Sequence, residues 1–256
     1  MLIKLENPFL LSRVIDILAD LVTEARIKIN EFGMGISAMD PANVAMVGFK
    51  IPKSAFSQFE SGNEVLGISL DSLKKILKRC SAGSSLVLEK KENNLSIQIN
   101  DRIKRNFNLN LIEVESEDID FDAKISRMEF SSFVEMNSID LVDSIEDCAV
   151  VADSCTFEIK NNKFIIEARS LNSTKSEFSG DEAKIGPIYS EKAGSSEAED
   201  CKAKYSIEYL AKFIKGAKLT EKTMIQLAND HPLKMRIKNE NFELNFILAP
   251  RVETED

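Results

Sequence analysis

Two stretches of this chain align without a gap. LDSLKKILK (70–78) lies over IEYLAKFIK (207–215), so that Leu70 matches Ile207, Leu73 matches Leu210, and Ile76 and Leu77 match Phe213 and Ile214. Lys75 and Lys78 match Lys212 and Lys215. Each stretch is followed by a strand pattern, a polar turn and a second strand pattern. Further upstream each half has another amphipathic run that leads into a hairpin pattern, ARIKINEFGMGISAM in the first and CTFEIKNNKFIIEA in the second. A self-similar order of this kind reads as one folding unit used twice. It predicts two domains, 1–112 and 123–256, joined by the connector EVESEDIDFD at 113–122.

Within each half the dominant pattern has period two. VAMVGFKIP (44–52), SSLVLEKKENNLSIQIN (84–100), CTFEIKNNKFIIEA (155–168) and TMIQLANDHPLKMRIKNENFELNFIL (223–248) alternate apolar and polar residues, with turns such as KENN, KNN and KNEN between them. These are antiparallel strands, with sequential strands as neighbours. Helical spacing is confined to a few segments. Residues 8–22 place Leu11, Val14, Ile15, Leu18, Leu21 and Val22 on one face behind the start signal Asn7-Pro8. Residues 71–80 gather Leu73, Ile76, Leu77 and Cys80 opposite Lys74, Lys75, Lys78 and Arg79, and residues 206–217 gather Ile207, Leu210, Phe213 and Ile214 opposite Lys212 and Lys215. A fourth helix is expected within 131–146, where Phe133, Met136, Ile139, Val142 and Ile145 recur every third residue. The fold class is α+β: two similar domains, each of antiparallel sheets with two helices.

Several function classes find no support. The single histidine, His231, sits in the turn NDHPLK with no nucleophile elbow elsewhere, and Gly33 and Gly35 in EFGMGIS lack a phosphate-loop pattern. No enzyme signature, cofactor motif or zinc spacing is present; Cys80, Cys148, Cys155 and Cys201 form no CxxC pair and read as reduced structural thiols. No apolar run is long enough for a membrane helix and the N-terminus has no signal-peptide pattern, so an intracellular protein is expected. One metal pattern competes. DIDFDAKISRME (118–129) spaces Asp118, Asp120, Asp122, Ile125 and Glu129 as an EF-hand loop does, which admits a calcium-responsive β-rich adaptor. Against it, Ala123 stands where that loop turns on glycine, and the flanks alternate as strands.

The lysine faces point to an anionic partner. A net charge of −9 argues against nonspecific wrapping of nucleic acid by the whole surface, yet basic residues recur at matching helix positions in both halves. Helix-borne lysines without base-reading or stacking residues suit sequence-independent contact with phosphates. Arg13 is the only base on the exposed face of the first helix, beside Asp16 and Asp20, and the helix within 131–146 has no Lys or Arg.

ISAMDPANVAMV (36–47), SLDSLKKILKRC (69–80), the connector EDIDFD and FILAPRVE (246–253), set in a duplicated β-rich chain, resemble the DNA sliding clamp family of proliferating cell nuclear antigen, in its archaeal style. The resemblance spans essentially the whole chain. It implies a DNA-clamp fold in which three subunits close into a ring, with helices lining the hole and sheets forming the wall. It implies no catalytic activity, metal or cofactor. Such a ring encircles double-stranded DNA without sequence preference, is placed by a clamp loader, and tethers replicative polymerase, flap endonuclease and ligase through short peptide motifs.

By that resemblance Arg13, Lys74, Lys75, Lys78, Arg79, Lys212 and Lys215 face DNA. Met39, Asn43, Val44 and Met46, the connector residues Ile119 and Phe121, and Pro232, Ile247, Ala249 and Pro250 take the partner peptide. Ring closure joins an edge strand near 107–112 to one near 174–179 of the next subunit, in a homotrimer or, alternatively, only with different paralogues. The implied location is cytoplasmic and nucleoid-associated for an archaeal protein, nuclear for a eukaryotic one.

Overall fold

The computed structural model describes residues 1–188 and 198–252. The last residue of FILAPRVE, Glu253, lies outside the described residues. The chain divides into two compact units, Met1–Phe121 with Asn239–Leu244, and Asp122–Lys238 with Asn245–Asp256.

The first unit runs β1 (Leu2–Leu5), α1 (Phe9–Ala19), β2 (Glu24–Asn30), β3 (Gly33–Met39), β4 (Ala45–Pro52), a 3-10 turn at Lys53–Ala55, β5 (Gln58–Glu60), β6 (Glu64–Ser69), α2 (Leu70–Leu77), β7 (Ser85–Lys91), β8 (Asn94–Asn100) and β9 (Lys104–Asn110). Its strands order as β5-β1-β7-β8-β9 and as β4-β3-β2-β6. After α3 (Phe121–Ile125), the second unit runs β10 (Ser132–Asn137), α4 (Ser138–Val151), β11 (Ser154–Lys160), β12 (Lys163–Arg169), β13 (Ser173–Phe178), β14 (Ala183–Pro187), β15 (Cys201–Ser206), α5 (Ile207–Ala217), β16 (Lys222–Leu227), β17 (Leu233–Lys238) and β18 (Glu243–Leu248). Its strand orders are β14-β10-β16-β17-β18 and β13-β12-β11-β15. The two orders are the same, strand for strand, which is the internal repeat seen in the sequence.

Local chemistry explains the elements. The hairpin β11–β12 turns at Asn161-Asn162, both left-handed at φ +51° and +58°, between the paired Lys160 and Lys163. Asparagine tolerates that region, and two such residues give the turn that matches strand twist. Helix α2 starts at Ser69, whose Oγ accepts from the Ser72 N–H at 3.3 Å, with Asp71 in the first turn. Leu70, Leu73 and Leu77 are buried beneath it; in the second unit Leu210, Phe213 and Ile214 of α5 are buried, with Phe213 stacked on Phe246 at 4.3 Å.

The expected helix within 131–146 is a strand followed by a helix. Ser132, Val134 and Met136 are buried on alternate positions of β10, which pairs with β14 and β16, and α4 begins only at Ser138. The every-third spacing joined a period-two strand to a helix whose own buried stripe is Leu141, Val142, Ile145 and Cys148. Ile139, expected in that stripe, is exposed.

Candidate functional site

In the first unit the β4-β3-β2-β6 strands bury Ile27, Ile29, Met34, Ile36, Val47, Phe49, Leu66 and Ile68 on one face. The opposite face carries Gly35, Gly48 and Gly67 beside Arg26 and Lys28 and receives the connector. Gly67 on β6 accepts the Ile112 N–H through its carbonyl at 2.9 Å, and a Cβ on Gly67 would lie 2.1 Å from the Ile112 carbonyl oxygen. On β2, next to Gly67 in register, Arg26 donates to the carbonyls of Val114 and Ser116, the latter at 2.6 Å. Two residues on, Lys28 Nζ meets Asp118 Oδ1 at 2.7 Å. On β4, Gly48 leaves room for the Phe121 ring.

The connector is therefore fastened at its start, middle and end to one sheet face. Ile119 and Phe121 are only 6% and 3% exposed, and the Phe121 ring lies on that face against Gly48. Met39 and Met46 are directly paired across β3 and β4 and point to the same side as Gly48, which pairs with Ser37. Met46 is buried; Met39 and Val44 are half-buried; Asn43 is exposed and left-handed at φ +57°. The loop that carries Asn43 and Val44 hangs on Asp40. Its buried carboxylate accepts the N–H groups of Ala42 at 3.2 Å, Val44 at 2.8 Å and Ala45 at 2.6 Å. Arg26, Lys28, Asp40, Gly48 and Gly67 did not figure among the expected site residues. Glycines inside strands were the available sign, because they mark close approach of another backbone or ring.

In the second unit, Pro232 is half-buried after His231. The His231 carbonyl accepts the Tyr205 hydroxyl at 2.8 Å and its ring meets Phe130 edge-on at 5.2 Å, so this histidine organises a turn. Ile247 is buried, and Ala249 and Pro250 are half-buried. Beyond them the Arg251 N–H donates to the Lys204 carbonyl at 2.7 Å and its guanidinium meets Asp153 at 2.9 Å.

The helix pairs α1·α2 and α4·α5 pack within their units. Lys75, Lys78 and Arg79 are exposed, and Lys74 is half-buried between Asp16 at 2.9 Å and Asp20 at 3.3 Å. Lys78 also reaches Asp16 at 2.9 Å. Arg13 is exposed and stacks over the Phe9 ring at 5.1 Å. On α5, Lys215 is exposed, while Lys212 lies near Glu208 at 3.3 Å and over the Tyr209 ring at 5.1 Å. Helix α4 has Asp140, Asp143, Glu146 and Asp147 and no base.

The family model for the proliferating cell nuclear antigen, N-terminal domain, matches residues 1–124, and that for its C-terminal domain matches residues 124–252. The chain belongs to the proliferating cell nuclear antigen family. It is 33% identical over 246 residues to the DNA polymerase sliding clamp of Pyrococcus furiosus, covering 94% of each chain, and 34% identical over 240 residues to that of Thermococcus onnurineus, covering 92% of each. Its fold is shared with proliferating cell nuclear antigen from Thermococcus kodakaraensis, with a TM-score of 0.86, 20% identity and 98% and 99% of the two chains covered. A PCNA2–PCNA3 complex from Sulfolobus tokodaii superposes with a TM-score of 0.85 at 23% identity, covering 99% of this chain and 100% of that one. Sliding clamps are processivity factors rather than enzymes.

Membership accounts for several remaining features. β9 ends the order β5-β1-β7-β8-β9, and β13 ends the order β13-β12-β11-β15, so both strands expected at ring closure lie at the end of their sheets within their own units. The calcium reading of 118–129 fails on geometry. Asp118 is held by Lys28, Phe121 is buried on Gly48, and no group of three metal-ligating side chains converges among the described residues. Cys148 and Cys155 share a hydrogen bond and are buried, burial pushes the Cys201 thiol up to about 11, and Cys80 is half-buried. No described helix is long and apolar enough to cross a membrane.

Proposed function

We propose that this chain closes with two further copies into a ring around duplex DNA and tethers replication enzymes there. The observation that carries the reading is the duplication itself. Two units of identical strand order each present one helix pair, and each ends a sheet in a strand, β9 or β13, suited to join the other unit of a neighbouring copy. A heterologous joint of this kind closes after a fixed number of copies. A ring holds DNA by topology, so weak phosphate contacts suffice and the net charge of −9 is compatible with the task. The proposed domains are 1–112 and 123–256 about the connector 113–122.

Partner peptides are proposed to dock on the connector face of the first unit. Met39, Asn43, Val44 and Met46 border it, and Ile119 and Phe121 shift to admit an apolar anchor of a QxxLxxFF-type peptide. Pro232, Ile247, Ala249 and Pro250 of the second unit are proposed as further peptide contacts, with strand-like pairing along the tail. Polymerase, flap endonuclease, ligase and a clamp loader are the expected partners.

Light scattering tests assembly: a mass three times 28.7 kDa is expected, and a monomer at micromolar concentration overturns self-closure. Retention tests encirclement. The loaded protein is expected to stay on closed circular DNA at high salt and to leave when the circle is cut; equal loss from both forms overturns the ring reading.

A further inference from the structure

The sequence treats the bases of α2 as equivalent; the ion pairs divide them. Lys74 lies between two carboxylates of α1, Asp16 at 2.9 Å and Asp20 at 3.3 Å, and its side chain is 22% exposed against 31% and 29% for its partners. Asp16 Oδ1 is shielded from solvent and is shared with Lys78 at 2.9 Å. Partly buried pairs are screened by salt much less than open ones, so the Lys74 ammonium is committed to Asp16 and Asp20 before any phosphate arrives, while the more exposed Lys78, at 55%, shares Asp16 more loosely. Lys75 is exposed on α2 and Arg79 is exposed just beyond its C-cap, and neither has an ion-pair partner among the described residues.

The internal repeat gives independent support. Lys75 and Lys78 have counterparts in Lys212 and Lys215, but Lys74 aligns with Ala211. The base that the two units do not share is the one that ties α1 to α2.

We infer that Lys74 is a positioning residue outside the DNA contact, that Lys75 and Arg79 make the contact for the first unit, and that Asp16 lowers the grip on DNA by holding Lys74 and Lys78. This rests on the reading of the helix layer as the DNA-facing surface. Asp16 thus acts as an attenuator: it competes with phosphate for α2 and keeps the ring loosely held.

The test compares Lys74→Met, Lys75→Met and Asp16→Asn in fluorescence-anisotropy titrations of a short duplex over a range of salt concentrations. Lys75→Met is expected to weaken binding about threefold or more and to lower the salt slope by about 1 for each subunit in contact. Lys74→Met, the same change one residue away, is expected to leave both unaltered. Asp16→Asn is expected to tighten binding about threefold and steepen the slope, since each freed lysine displaces a further counterion.

Amine acylation read by mass spectrometry supplies a second measurement on the same proteins. DNA is expected to protect Lys75 and not Lys74, and Asp16→Asn to raise the reactivity of Lys74. Equal losses from Lys74→Met and Lys75→Met in a wild-type protein that does bind duplex overturn this assignment alone. A wild-type protein that holds no duplex at low salt overturns the assignment of Lys75 and Arg79 as contacts, while the ring reading is decided separately by retention on closed circular DNA. Should Asp16→Asn loosen the α1–α2 packing, the two methionine variants still decide the matter.

Discussion

The ring of Phe121 occupies the place that a side chain on Gly48 would take. A Cβ at residue 48 would lie 2.7 Å from two of its ring carbons, a separation that packed carbon atoms do not adopt. Gly48 is thus the floor on which the connector ends. Gly48→Ala is expected to lift Phe121 and cost about 1–3 kcal/mol, the usual range for overpacking. Hydrogen exchange at 114–122 should rise in the variant while exchange in β7 and β8 stays as in the wild type. Unchanged exchange in the connector would show that Phe121 does not depend on this floor.

The burial of Ile119 and Phe121 bears on peptide binding. Both are covered, so the proposed docking requires them to shift rather than to meet the peptide as open side chains. Replacing both with Ser is expected to lower affinity for a QxxLxxFF-type peptide at least tenfold in calorimetry, because the apolar lining is lost. Met39→Ala offers a check that leaves the connector alone. It should weaken the same peptide by a smaller factor without changing exchange at 114–122.

Asp40 is the keystone of the AMDPANV string. Its carboxylate accepts backbone N–H groups of Ala42, Val44 and Ala45 from a buried position. Charge-assisted hydrogen bonds of this kind contribute about 1.5–3 kcal/mol each at most, and they are not additive. Asp40→Ala is expected to lower unfolding stability by about 2–3 kcal/mol in denaturant melts. A loss under half that would show the loop to be held by its backbone bonds alone.

The sequence made the duplication and its antiparallel strands legible because apolar alternation recurs between short polar turns and LDSLKKILK aligns with IEYLAKFIK. It misled at 131–146, where Phe133 and Met136 belong to β10 and the helix starts five residues after Phe133. A short strand running straight into a helix leaves no turn residue to divide the two periods. The acidic connector showed two apolar residues without a purpose. The seat of Phe121, Gly48, is in a strand far away in sequence, as is Gly67 beneath Ile112 and Val114, and a glycine records only that something comes close, never what. Nor did helix spacing reveal which lysines were already paired, since Asp16 and Asp20 lie on a different helix from Lys74.

The α1–α2 tie also fixes a pH dependence. Burial alone would raise the Asp16 carboxyl, but Lys74 and Lys78 outweigh it and hold it below its ordinary value of 3.8. A carboxyl lowered on folding contributes stability that is fully present above 3.8 and lost as pH falls through its lower folded value. Lys74 is raised above 10.5, by Asp16 first and then Asp20, against burial; its contribution is full below 10.5 and lost as pH rises through the higher folded value. Thermal midpoints are therefore expected to level off across neutral pH and to fall below about pH 4. Lys74→Met should flatten the acid limb. An acid limb of equal steepness in that variant would assign it to other lowered carboxyls of the first unit, such as Asp101 beside the Ile103 N–H.

Charge reversal separates the two helix pairs. Lys75 is exposed and unpaired among the described residues, whereas Lys212 is near Glu208 and lies over the Tyr209 ring. Lys75→Glu converts an available positive charge into a repulsive one. Lys212→Glu also places a new carboxylate one turn from Glu208, a like-charge pair that destabilises a helix by a few tenths of a kcal/mol. Both variants are expected to keep the trimer mass and to shorten processive synthesis by polymerase, with the larger loss from Lys75→Glu. The second unit begins with less positive charge, because α4 supplies four acids and no base, so Lys212 is already countered before it is reversed. Equal losses at the two positions would mean that DNA reads the helix layer as one averaged field rather than through the exposed lysines of α2.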